Sequence, residues 1–276
     1  MAAVTVLVRE RSLAAVWSKT LRDQRRSLLW WAIGIGLVVL MYAAFYPSIT
    51  KNAAQFNDYV KNLPEAVRDM IGGSDIASPE GYLMSEIFSF MGPILLFVYA
   101  IGAGARAIAG EEERGTLDLL LSTPIRRRRI VVDKFVAMAI GTFVLAAVAW
   151  IVTAVLGPAF DLTPSFTGLT ATFVNLFLLA LGFGTIALAI GAATGSKGLA
   201  IGAASGAALV MFLLKTFAAA VSWLDPYRFL SPFYYYTGHD PLRTGFHLVD
   251  PIVLLAISVV ALAVALVTFE DRDLAT

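Results

Sequence analysis

The sequence predicts an all-α membrane protein. It would have six transmembrane helices, an N-terminal amphipathic helix on the cytoplasmic side and short re-entrant helices on the outer side before the last span. Three observations carry this. Of the 276 residues, 58% are apolar and only 15% charged, with mean hydropathy +0.76. The apolar residues gather in uncharged runs of about 20, each about 30 Å long as helix, the thickness of a bilayer core. Hydrocarbon offers the backbone no hydrogen-bond partners, so such runs must be helical. Lys and Arg are then distributed unevenly between the two sides.

The six runs are 28–46, 87–109, 135–156, 169–193, 199–220 and 251–269, and together they make one transmembrane domain over 1–276. Numbered by parity, one side holds fifteen basic residues: Arg9, Arg11, Lys19, Arg22, Arg25, Arg26, Arg106, Arg114, Arg126 to Arg129, Lys134, Lys197 and Arg272. The other holds five: Lys51, Lys61, Arg68, Arg228 and Arg243. The positive-inside bias therefore places both termini in the cytoplasm of a multi-pass plasma-membrane protein. The N-terminus does not read as a cleavable signal, because its charged region is too long and no small-residue cleavage site follows a short apolar core.

Residues 11–26 precede the first span. Leu13, Val16, Trp17, Thr20 and Leu21 share one helical stripe, with Lys19, Arg22, Asp23 and Arg26 mostly opposite. This pattern predicts an interfacial helix anchored in the headgroup layer by Trp17, Arg22 and Arg26; packing on a partner is the alternative. In the long outer loop, LPEAVRDMIGG predicts a short helix between Pro64 and Gly72 or Gly73. Within the second span, Pro93 predicts a bend. Spans four and five meet across TGSKG, where Gly191, Gly195, Gly198, Gly202 and Gly206 form three GxxxG spacings. Close helix packing within one subunit is expected there, with a dimer seam as the alternative. Residues 221–248 are rich in Pro, Tyr and Trp and predict broken helices at the outer interface.

The sharpest local signal is GEEERGTLDLLLSTPIRRRR at 110–129, where nine of twenty residues are charged. Thr123 and Pro124 predict a helix start running on into the third span. Four arginines in that first turn oppose the helix dipole. Arg126, Arg127, Arg128 and Arg129 are therefore expected to anchor on lipid phosphates. A nucleic-acid role fits poorly, since no aromatics are interleaved with them. Upstream, Leu117, Leu120 and Leu121 share a face that so short a piece cannot bury alone. It either docks on another protein or folds back on the span ends.

The same stretch resembles the cytoplasmic loop of permease subunits of ATP-binding-cassette (ABC) transporters of the type-2 exporter class. LPEAVRDMIGG, LSPFYYY before the last span and FEDRDL after it agree, so the resemblance covers almost the whole chain. The run of four arginines departs from the pattern at the end of the docking segment. The resemblance implies that 110–122 is a coupling helix seated on a separate ATP-binding subunit. Glu111, Glu112, Glu113, Arg114, Gly115, Thr116, Leu117, Asp118, Leu120 and Leu121 would form the contact. ATP and Mg would be held by that partner, and no cofactor by this chain. A second permease copy would complete the path as a homodimer and move its cargo outward; the apolar and aromatic residues of spans one, two and five point to an amphiphilic or hydrophobic compound.

Within the membrane, Asn175 and Lys215 are candidates for the substrate path; their alternatives are helix–helix hydrogen bonding and snorkelling. With no cysteine and two histidines outside any H-E-x-x-H pattern, no catalytic or metal residues are assigned. His239–Asp240 could form an acid/base pair, but no nucleophile accompanies it. GAATGSKG at 191–198 departs from the P-loop pattern and lies at a span end, so ATP must bind elsewhere. A stand-alone secondary transporter or channel is the rival reading. It would call for ionisable groups at mid-bilayer and repeated broken helices.

Overall fold

A computed structural model of the chain describes residues 15–52, 62–63, 78–117, 125–218 and 221–272. The helix predicted at LPEAVRDMIGG and most of the leucine-bearing segment, including Asp118, Leu120 and Leu121, lie outside these residues. Among the described residues the fold is built of helices, and six of them are long and apolar enough to span a bilayer.

The first span is helix α1, Ala15–Lys51. No glycine or proline interrupts residues 15–33, so the amphipathic segment runs unbroken into the apolar one. The result is one rod about 55 Å long at 1.5 Å per residue. An interfacial helix ending at residue 26 is therefore not a separate element. Instead Val16, at its start, is buried.

The second span starts earlier than hydropathy alone places it. Ser78 accepts a hydrogen bond from the Gly81 N–H, and Pro79 follows in the first turn of α2, Pro79–Leu83. The chain continues as a π-helix over Met84–Met91 and then as α3, Gly92–Ala107. A π-helical stretch thus precedes the proline at which a bend is expected. Pro93 stands in the first turn of α3, where its missing N–H costs nothing, and the wider π turn precedes it. The span ends in the short helix α4, Ala109–Glu112.

The third span is α5, Arg127–Leu156. Arg126 is extended (φ −65°, ψ 139°), so this helix does not run on from Pro124 as the sequence suggested. After a 3₁₀ turn at Gly157–Phe160, Ser165 caps α6, Phe166–Thr194. Gly195 closes α6 in the left-handed conformation (φ +67°), and α7, Lys197–Ala218, starts two residues later. A 3₁₀ turn (Asp225–Leu230) and short helices α8 (Pro232–Thr237) and α9 (Pro241–Thr244) lead to the last span, α10, Val249–Asp271.

Helix α6 is the central post. Its apolar window is 78% buried, against 17% for α1 and α7 and 28% for α10. It packs against α3, α10, α7 and α5. On Gly198, Gly202 and Gly206 an added Cβ would meet nothing within 4 Å. The glycine face of α7 therefore does not pack within the subunit, while Ala200, Ala204 and Ala208 are buried. Gly191 and Gly195 differ, the first facing Ala109 and Ala200 and the second Glu112 and Arg272.

Candidate functional site

The loop after the second span is tied to four other helices at the end of the bundle that carries most of the basic residues. Glu111 takes hydrogen bonds from Lys134 Nζ (2.8 Å) on α5 and from the hydroxyl of Thr116. Glu112 is gripped by both guanidinium nitrogens of Arg272 beyond α10, Nη1 lying 3.0 Å from Oε2. Arg272 Nη1 also reaches the Ala192 carbonyl at 3.3 Å, near the end of α6. Glu113 accepts from the Lys197 backbone N–H (2.9 Å) at the start of α7. Leu117 is buried in a small cluster with Ile108, Val131, Leu188 and Phe269. The loop is thus latched to the ends of α5, α6, α7 and α10.

Two of these ties stood outside the sequence-derived site. In sequence, Lys134 and Arg272 register only as basic residues. The signal for them was present: a lone Asp133–Lys134 pair in an apolar run, and a charged tail, FEDRD, facing an acidic loop. The same tail changes the reading of the arginines. Arg127 donates to the Arg272 carbonyl (2.8 Å), Arg128 pairs with Glu270, and Arg129 pairs with buried Asp133 at 2.9 Å. Protein acceptors thus offset the dipole mismatch at the start of α5.

Glu111 carries a pH signature. Burial raises its pKa, but hydrogen bonds from Lys134 and Thr116 and the nearby Lys134 and Arg114 charges outweigh this, leaving it below its ordinary 4.5. A depressed carboxylate stabilises the fold above its unfolded-state pKa, and that stability is lost as pH falls through the folded value. Thermal melts followed by tryptophan fluorescence should therefore fall more steeply below about pH 4.5 for the native chain than for Glu111→Gln. Equal slopes would refute the assignment.

One hollow borders the latch and a groove runs along α7. The hollow, of about 700 Å³, opens among α1, α3, α5 and the loop, with Val16, Gln24, Arg106, Glu111, Lys134 and Met138 in its wall. The groove, of about 520 Å³, lies between the second span and α7, lined by Phe90, Ile94, Phe97, Val98, Leu209 and Phe212, with Arg106 among its few polar groups. Phe233 of α8 inserts beside it, its ring 5.4 Å from Phe212 and 5.9 Å from Phe97. Lys215 borders a smaller hollow next to Phe233 and Tyr236. Asn175 is not in the groove wall. It is buried in α6 and donates to the Tyr235 carbonyl (3.4 Å), the helix–helix alternative.

At the opposite end, α8 is fastened below the tips of the spans. Ser231 donates to the Met211 carbonyl in α7, and Tyr236 to the Phe88 carbonyl (2.9 Å) in the second span. Met211 lies roughly 10 Å short of the end of α7, so this segment reaches into the bundle. His239 turns away from Asp240, which pairs with Arg243, and meets Asp250 instead (Nδ1–Oδ1 2.9 Å).

No curated protein matches the chain. The family described as ABC-2 family transporter protein matches residues 14–274, nearly its whole length. Six spans, a charged loop after the second and a helical segment before the sixth accompany that match, and this multi-pass membrane protein belongs to the ABC-2 transporter family.

Proposed function

We propose that this chain forms the substrate path of an ATP-driven exporter and is powered by a separate ATP-binding subunit docked on residues 110–122. The observation that carries the reading is the latch. Glu111, Glu112 and Glu113 tie one loop to α5, to Arg272 at the end of α10 and to α7, and Arg272 carries the tie on to α6. A partner that shifts the loop on binding ATP would move four helices together rather than bending a free strap. Leu120 and Leu121 would supply the apolar contact, with Arg114 and Asp118 at its polar rim. ATP and Mg would reside on the partner.

Two copies would face each other across α7. Its open glycines, Gly198, Gly202 and Gly206, allow a second backbone to approach closely. The groove between the second span and α7 would then open onto the shared path. Its apolar, aromatic wall with one arginine supports an amphiphilic or hydrophobic cargo. The basic end would face the cytoplasm, with Trp17, Arg22, Arg26 and Arg126 at the lipid headgroups.

The test is association. The chain is co-expressed with its ATP-binding subunit, and Leu120 and Leu121 are both replaced by Asp. The permease should still insert and elute as the native protein does, but co-purification of the ATP-binding subunit should be lost. Undiminished co-purification would remove the docking role.

A further inference from the structure

We propose that His239, His247 and Asp250 form a zinc site that pins the outer helices to the head of the last span. Nothing in the transport reading requires it, and the sequence hides it: the three residues fit no ligand motif. The fold brings one ligand atom from each within 4.8 Å of the others. Asp250 Oδ1 lies 2.9 Å from His239 Nδ1 and 3.4 Å from His247 Nδ1. Tetrahedral ligands on zinc at about 2.0–2.1 Å stand about 3.4 Å apart, so small ring rotations would admit the ion.

A second observation points the same way. Asp250 is fully buried, yet its Oδ2 has no hydrogen-bond partner. An orphaned carboxylate oxygen costs free energy, and an ion beside it would satisfy it. His239 is also oriented for the task. The Tyr234 hydroxyl lies 3.4 Å from its Nε2, leaving Nδ1 toward the carboxylate. Such an outer hydrogen bond fixes ring and tautomer at many metal sites. His247 is half exposed and stacks on His239 at 4.2 Å, so an ion can enter from its side. Two imidazoles and one carboxylate suit zinc; magnesium and calcium prefer oxygen ligands throughout. The fourth position would be water. Bound there, zinc would fix the end of α8, which carries Phe233 into the groove, against the start of α10.

The experiment uses the full chain with a tag free of histidine, stripped with EDTA and dialysed. Zinc is then measured by mass spectrometry after equilibrium dialysis, and cobalt by its visible absorption. About one zinc per chain and intense tetrahedral cobalt bands are expected. His247→Ala touches only an exposed ring and should fold normally while losing the ion. Asp250→Asn should lose it too, and Tyr234→Phe should bind about 10-fold more weakly. Zinc at background level in the native chain would overturn the proposal and leave a hydrogen-bonded His–Asp–His cluster. So would unchanged binding by His247→Ala. Neither result bears on docking of the ATP-binding subunit, which is read by co-purification.

Discussion

Replacing Gly104 by alanine should cost the protein about 2–3 kcal/mol, a large share of what a membrane bundle has to lose. A Cβ at this position in α3 would fall inside the Gly184 carbonyl oxygen of α6, with the Gly184 carbonyl carbon at 3.0 Å and the Leu188 nitrogen at 3.1 Å. Every one of these is backbone. No rotamer change relieves the overlap, so the two most extensively packed spans must separate. The gain of about 1 kcal/mol in helix propensity from Gly to Ala does not offset this. Gly202→Ala supplies the contrast, because nothing lies within 4 Å of its added methyl. That variant should leave monomer stability unchanged or slightly raised, while weakening self-association if α7 is the seam. Thermal melts in detergent compare the pair. Equal melting temperatures for Gly104→Ala and Gly202→Ala would show that the α3–α6 approach does not limit stability.

The six spans were legible because bilayer physics writes them in a coarse code. A run of 20 apolar residues and a surplus of basic residues on one side survive any detail of packing. What hydropathy cannot see is where a helix starts. Ser78–Pro79–Glu80 is polar, and only its capping chemistry announced that the second span begins there. Nor can hydropathy separate an exposed glycine from a buried one. Gly104 and Gly202 look alike in sequence, yet one touches a neighbouring backbone and the other touches nothing. The N-terminal rod shows a third limit. An amphipathic stripe followed by an apolar run reads as two helices, and the structure joins them because nothing between Ala15 and Ile33 breaks the backbone.

The site was legible in one half. The acidic loop advertised itself by charge in an oily chain, but its partners within the molecule lie 23 to 160 residues away, and no pattern of spacing links them. Complementary charge was the available clue. Three carboxylates after the second span face an arginine past the sixth and a lysine in the third. The histidines were opaque for a different reason: His239, His247 and Asp250 are close in sequence, but their spacing fits no ligand motif, and only the folded turns before the last span bring them together.

Reversing the charge of Glu112 should unfasten the latch, and reversing Arg272 as well should restore part of it. The two side chains are 27% and 19% exposed, between the surface pairs worth under about 1 kcal/mol and the buried ones worth about 3–5 when broken. A loss of about 1–3 kcal/mol for Glu112→Arg follows from that position. The geometry explains why it should be specific. The guanidinium and carboxylate meet directly over Gly195, where a Cβ would collide with both. The turn between α6 and α7 therefore holds a glycine for two reasons, its positive φ and the room it leaves for the pair. Arg272→Glu alone would place two carboxylates in that space, with Glu270 nearby. The double reversal Glu112→Arg with Arg272→Glu recreates one pair of opposite charge, so its melting temperature should exceed that of either single variant. Trypsin should report the same order, cutting at Arg127 and Arg128 fastest in the single variants, because Arg128 rests on Glu270 and Arg127 on the Arg272 carbonyl. A double variant no better than the worse single one would mean that the ends of the spans are held by apolar packing around Leu117. In that case a push on the loop would travel through the greasy contact and not through the charges.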